Sequence, residues 1–290
     1  MNTIKKCPKC SSETIKKDGW RNTLNRGKIQ RYECKSCDHR FTNNDGFKRM
    51  KHSPQKISLC LDLFYRGVST RKIQEHLKAF YPHNADHRTI LRWIIKYSNV
   101  ISQFTDKLNL NVGNEIQLDE MEYKTKGKQS WFIDMIDTQT RFMVASDFVK
   151  SREKSKIKRM LQNTKQKTED KIRVVTTDGF LLYREIVKKS FGYNLQEHKY
   201  NIEHNVVNAS QGEGFNHKIE RLHNSIRERT KTFRGFKNLK SANAIMKGYA
   251  IFYNFIRKHQ ALGKCPYELA TDLKLNSENK WLELIRMSRL

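Results

Sequence analysis

The chain has 290 residues, with 57 Lys and Arg against 30 Asp and Glu, a formal net charge of +27. At 37% hydrophobic and 10% aromatic it can bury cores, Gly and Pro are too few for a long flexible linker, and no run of about 18 apolar residues exists to span a membrane. Such an excess of cations needs an anionic partner, and nucleic acid leads over a membrane surface.

The cations are unevenly spread: residues 1–42 hold 11 Lys and Arg with 4 acids, 150–171 hold 9 with 3, and 216–240 hold 8 with 2. The opening MNTIKKCPKC lacks the apolar stretch of a secretory signal, so a reducing cytoplasm is expected, and the six Cys read as thiols or metal ligands before disulfides.

Residues 1–45 predict a small ribbon with strands such as Lys28–Cys34. Cys7-Pro-Lys-Cys10 and Cys34-Lys-Ser-Cys37 are two CxxC knuckles separated by 23 residues. Each knuckle points two thiolates at one cation, and the pair completes a tetrahedral Zn²⁺ site. Four thiolates leave no open coordination position, so this zinc is structural, supplying folding energy that so short a segment lacks. Cys60 and Cys265 have no such partners and read as buried small hydrophobes.

Residues 46–110 predict a helix-turn-helix domain of three helices: Pro54 to Gly67 with Ile57, Leu61 and Phe64 inward, a second capped by Ser69 and closed by Pro82, and a third over Asp86–Asn99. The third presents Arg88, Arg92 and Lys96, with His87, outside its apolar stripe, as a helix in a DNA major groove would; an ordinary solvated face would look the same.

From residue 111 to 272 strands and helices mix. Glu115–Tyr123, Ser130–Asp137 and Arg141–Phe148 read as a meander with a turn at Asp137–Thr140, followed by a basic helix carrying Ile157, Met160 and Leu161. Ile172–Thr177 reads as a buried strand, Leu181–Lys189 as a helix, His198–Ile202 as a short strand, and helices begin near Phe215 and over Ala242–His259. Residues 273–290 form a helical tail.

Three acids stand where acids need a reason: Asp119 inside a strand, Asp178 ending another, and Glu220 on a helix whose core stripe is Ile219, Leu222 and Ile226. Brought to one end of a mixed sheet, they would repel unless divalent cations sat between them, and two Mg²⁺ ions held by such oxygens can clamp a phosphoryl transfer. Glu120 and Glu122 neighbour Asp119, Asp134 reads as structural, Asp137 as a turn residue, and Glu213 is a rival for Glu220. Strand alternation turns Glu120 away from Asp119.

The segment from Glu115 to Glu268 resembles the DDE transposases of prokaryotic insertion sequences, most nearly the insertion-sequence-six group. The matching pieces are LDEMEYKTKGKQSWFIDMID, VVTTDGFLLY, NHKIERLHNSIRERTKTFRGF and YNFIRKHQALGKCPYELA. The resemblance implies an α/β fold, a ribonuclease-H-like mixed sheet with flanking helices, preceded by the zinc ribbon and the helix-turn-helix. It implies Asp119, Asp178 and Glu220 as catalytic ligands of Mg²⁺ or Mn²⁺, and a basic residue two turns after the glutamate, Arg227 with Arg229 as runner-up, on DNA. It implies a cytoplasmic enzyme that binds terminal repeats and target DNA as a homodimer or larger synapse. The 41 residues between Asp178 and Glu220 exceed the usual spacing, an excess assigned to a loop around Glu197–Gly214. The alternatives are a decayed transposase acting as a DNA-binding regulator and a stand-alone nuclease.

Overall fold

The structure, a computed structural model, describes residues 6–43, 45–81, 84–207, 216–233 and 235–289; Pro82, Glu213 and Phe215 lie outside them. The N-terminal ribbon is a three-stranded antiparallel sheet of β1 (Ile15–Thr23), β2 (Gly27–Cys34) and β3 (Arg40–Thr42).

Three helices follow, α1 (Pro54–Tyr65), α2 (Thr70–Phe80) and α3 (His87–Thr105). Each starts where a short oxygen-bearing side chain can satisfy an orphan N–H: Ser53 accepts from Lys56, Ser69 from Lys72 and Asp86 from Arg88. Helix α3 runs beyond the expected end at Asn99 because Ile101 and Ser102 continue its buried stripe.

The second sheet comprises β4 (Glu115–Thr125), β5 (Lys128–Asp137), β6 (Met143–Val149), β7 (Val174–Thr177) and β10 (Glu203–Val206), in the order β10-β7-β4-β5-β6. The β4-β5-β6 meander is antiparallel, whereas β7 and β10 run parallel to β4. This is the ribonuclease-H-like arrangement that the sequence resemblance implied. One face carries α4 (Lys154–Lys167) and α5 (Leu181–Phe191), the other α6 (His217–Thr230) and α7 (Leu239–Ile251).

Two expected elements differ. The short strand at His198–Ile202 is instead half of a small hairpin, β8 (Tyr193–Asn194) with β9 (Lys199–Tyr200), and the fifth sheet strand begins only at Glu203. The helix expected over Ala242–His259 ends at Ile251 and widens into a π-helical turn, Phe252–Ile256. There Asn254 bonds both backbone groups of Met143 in β6, at 2.8 and 2.9 Å, so a polar side chain in an apolar run is spent on a sheet edge.

Short helix α8 (Tyr267–Ala270) and α9 (Lys280–Met287) complete the chain. Trp281 of α9 stacks on Tyr65 of α1 at 5.4 Å and donates to Asp62. The helical triplet and the sheet share one continuous core, with α3 packed along α7. Among the described residues no helix is long and apolar enough to cross a membrane.

At the α3–α7 joint Gly248 leaves room for Tyr65, whose hydroxyl bonds Ser98 at 2.8 Å; a Cβ on residue 248 would lie 1.8 Å from that hydroxyl oxygen. Overpacking of this kind costs about 1–3 kcal/mol. Gly248→Ala should therefore lower the melting temperature by several degrees in a thermal scan; an unchanged midpoint would show that the joint yields freely.

Candidate active site and metal centre

Asp119 sits midway along β4, flanked by β5 and β7. Leu118 is paired with Thr177, so Asp119 and Asp178 are the next residues along two adjacent parallel strands. Helix α6 is set against the same face: the Gln117 side-chain oxygen accepts from the backbone N–H groups of Lys218 and Ile219, each at 3.1 Å. Gln117 thus caps α6, while Asn216 at the N-cap position makes no capping bond. Glu220 lies in the first turn of this helix, exposed, with His217 Nδ1 4.0 Å away.

One turn after Glu220, His223 is buried between two carboxylates. Its Nε2 is 2.8 Å from Asp134 Oδ1 and its Nδ1 is 3.5 Å from Asp119 Oδ2. Asp134 and Asp119 are themselves direct partners across β4 and β5. Burial lowers the proton affinity of His223, but Asp134 and then Asp119 outweigh it and the pKa is raised. Burial likewise raises Asp134, against the pull of His223. Asp119 is pushed up to about 7, chiefly by burial, with His223 and the Glu120 N–H opposing.

Glu120 and Asp137 are engaged away from Asp119. Glu120, on the opposite face, accepts from Arg152 at 2.6 Å and from the Tyr183 hydroxyl, and Arg152 stacks 4.0 Å from both Trp131 and Phe180. Asp137 caps the β5–β6 turn, accepting from Thr140 N and Oγ1, both at 2.6 Å, and from Gly113 N at 3.0 Å. Glu122 is exposed, and Glu213 falls outside the described residues. Asp178 is half-buried, with one oxygen accepting from the Phe180 N–H at 3.1 Å.

The donor set of Asp119, Asp178 and Glu220 is all oxygen, as Mg²⁺ requires. Burial penalises the charged form of Asp119 by more than His223 offsets, a penalty that a divalent cation would relieve, and no Lys or Arg in the described residues is ion-paired with any of the three. The trio is not fully gathered, however. The four cysteines form the only group of three or more His, Cys, Asp or Glu among the described residues whose ligand atoms all lie within 4.8 Å.

In that ribbon Cys7 and Cys37 sulfurs are 3.7 Å apart and those of Cys10 and Cys34 3.5 Å. Tetrahedral zinc with Zn–S bonds of about 2.3 Å sets sulfurs about 3.8 Å apart, so the cluster fits. Each knuckle closes with a left-handed residue just after its second cysteine, Ser11 (φ 59°) and Asp38 (φ 51°).

The remaining basic residues divide. Arg88, Arg92 and Lys96 are exposed along one edge of α3. Arg227 is exposed on α6 and its charge reaches both His223 and Tyr123. Arg229, the runner-up for DNA contact, is buried instead: its guanidinium lies 4.2 Å from the Phe64 ring and 4.5 Å from Phe233, and burial lowers its pKa to about 10. It lies two positions after Arg227, with only Glu228 between, which turns it to the other side of the helix. Of the site's residues, His223 and Gln117 carry no signal in the sequence, and Asp134 reads there only as structural.

A family model described as a DDE domain, of the IS240 transposase type, matches residues 113–260, half of the chain. The chain belongs to this DDE transposase family. Solved structures similar to it include the catalytic core domain of HTLV-2 integrase in complex with magnesium. The trimeric form is 18% identical with a TM-score of 0.38, over 55% of this chain and 97% of that one. The dimeric form is 19% identical with a TM-score of 0.34, over 55% and 96%. A simian T-cell lymphotropic virus intasome in complex with PP2A regulatory subunit B56 gamma is 12% identical with a TM-score of 0.40, over 75% and 74%. A comparison with curated proteins gives no match.

Within the DDE domain, Asp119 makes a testable demand on stability. Its folded pKa of about 7 lies above the ordinary carboxylate value, so stability falls as pH rises from about 4 to 7 and the full penalty persists above 7. In metal-free protein, Asp119→Asn should raise the melting temperature at pH 8 by roughly 5 °C and at pH 5 by less than about half as much. A variant no more stable than the parent at pH 8 would contradict the buried, undercompensated charge.

Proposed function

We propose that this DDE protein is a transposase that binds the ends of an insertion sequence and catalyses metal-dependent strand cleavage and strand transfer. The observation that carries the reading is Asp119. It is a carboxylate whose charged form is penalised by burial, on the central strand, beside a second acid and below a helix bearing a third. Asp119 and Asp178 would each hold a divalent ion, Mg²⁺ or Mn²⁺, with Glu220 completing the set. Two such ions, when bound, supply activation of the attacking water or 3′-OH and stabilisation of the leaving oxygen. His223 orients the Asp119 carboxylate, and Arg227 grips a phosphate beside it.

The four cysteines would hold one Zn²⁺ that fixes the ribbon, residues 1–45. Arg88, Arg92 and Lys96 of the helix-turn-helix, residues 46–110, would enter the terminal repeat, delivering DNA to the catalytic part, residues 111–272. Two ends must be joined, so the working form is a dimer or larger synapse, acting on the chromosome in the cytoplasm.

On a plasmid carrying the terminal repeats with Mg²⁺ present, Asp119→Asn, Asp178→Asn and Glu220→Gln should each reduce nicking and joining by roughly a thousandfold or more while leaving end binding near normal. Normal nicking by these variants would sink the site assignment. End binding without any nicking by the parent protein would turn the reading to a DNA-binding regulator.

Metal analysis should find one zinc per chain in the parent and none in Cys34→Ser. That variant should lose end affinity tenfold or more, with the main melting transition, set by the shared core, unmoved.

A further inference from the structure

On the outer flank of α6 a groove of about 390 Å³ opens between that helix, the β5–β6 turn and the chain that leaves the π-helical turn. Arg141 comes from the first turn, Lys218 and Arg221 from α6, and Arg257 and His259 from the last segment. None of its lining residues is acidic. Of the acids nearby, Asp134 and Asp119 are engaged with His223, Glu220 lies 4.0 Å from His217, and Glu228 lines the adjoining groove. Arg141 Nη1 and His259 Nδ1 are both buried without a hydrogen-bond partner among the described residues. The three guanidiniums act on one point: burial, then Arg257, Arg141 and Arg221, together lower the proton affinity of His259.

Like charges gathered without a carboxylate repel, and orphaned donors in a groove lack acceptors. A bound oxyanion removes both deficits. The groove is not a closed cup for a single small anion. It shares Ser225 and Arg257 with a second groove, of about 580 Å³, that continues toward α1 past Arg66 and Lys231 and sets four Arg and Lys against a single acid, Glu228. Cations strung along a shared track suit a chain of phosphates. Arg221 follows Glu220 by one residue, about 100° round the helix, so the track passes beside the carboxylate site and not through it.

We propose that the groove of Arg141, Arg221 and Arg257 is a second DNA-binding track, which grips the phosphodiester backbone of DNA flanking the reacting bond, without sequence preference. This rests on the reading of the protein as a DNA-processing enzyme.

The test uses the full chain and random-sequence duplex DNA, with affinity followed by fluorescence anisotropy over a salt series. Arg141→Gln/Arg221→Gln should lower the slope of log affinity against log salt by about 2, near 0.9 for each phosphate no longer neutralised. It should weaken binding to every sequence alike. Both side chains are at least partly exposed, and Arg257, which leans on Tyr253, is left intact so that the fold is kept; a thermal scan verifies this. Lys240→Gln/Lys274→Gln, two exposed lysines elsewhere, should keep the parental slope. A parental slope in the arginine pair, or an equal fall in the lysine pair, overturns the assignment. The outcomes are separable. If the parent fails to nick DNA while the arginine pair still loses slope, the catalytic reading fails and the track stands. If the parent nicks and the slope is unmoved, only the track falls.

Discussion

Two carboxylates, Asp119 and Asp134, face one another across the β4–β5 ladder inside the protein, and a single imidazole from another element stands against both. Buried charges of like sign destabilise a sheet unless something positive is held between them. His223 fills that need from the second turn of α6, and so fixes the helix against the sheet at the level of Asp119. The compensation is incomplete. Asp134 Oδ2 has no partner among the described residues, and Asp119 keeps a proton affinity near neutrality. The fold therefore keeps one carboxylate whose charged form is penalised by burial yet partly open to solvent, which a divalent ion as ligand partner would relieve.

Helix α6 connects this carboxylate to the rest of the molecule. Along its length come Glu220 in the first turn, His223, Arg227, and finally Arg229 lying over Phe64 of α1. The rings of Phe64 and Phe233 are themselves stacked 6.0 Å apart. With α3 packed on α7 and Trp281 stacked on Tyr65, the helical bundle has no interface with the sheet that could open without exposing core. A rotation of the bundle would have to pull the guanidinium of Arg229 out of its aromatic seat or carry α6 with it. The helical triplet and the helix that bears the third acid are in this sense one packed piece, whereas the cysteine ribbon packs mainly upon itself.

Most of the architecture was legible because local chemistry and global packing agree. Ser53, Ser69 and Asp86 cap the helices they punctuate, the three meander strands form close to the expected segments, and the paired CxxC knuckles come together. The misses have physical reasons. His223 adjoins Leu222 on the buried face of α6 and reads as one more core position. Only a buried acid on a facing strand gives it meaning, and Asp134 could not be paired with it before the register was known. Arg229 is two residues from Arg227, a difference trivial in sequence and decisive on a helix. The π-helical turn has no sequence signature beyond a lone Asn254, whose partners, the backbone groups of Met143, are 111 residues away. Strand β10 reads EHNV and alternates only weakly in burial, so its place is set by pairing with β7 and not by its own pattern.

The long interval between Asp178 and Glu220 need not disturb the site, and the reason lies in how α6 is started. A helix positioned by the loop before it would drift as that loop grew. Here the first N–H groups of α6 are received by Gln117, two residues before Asp119 on the central strand, and His223 closes the contact one turn on. The third acid is thus referenced to the strand that carries the first, whatever the path between. The intervening chain uses part of its length on the β8–β9 hairpin, which pairs only with itself and leaves Tyr193, Leu195 and Tyr200 exposed. Added residues can accumulate there at little entropic cost, because the geometry that matters is fixed by side chains on the sheet, not by the length of the connection.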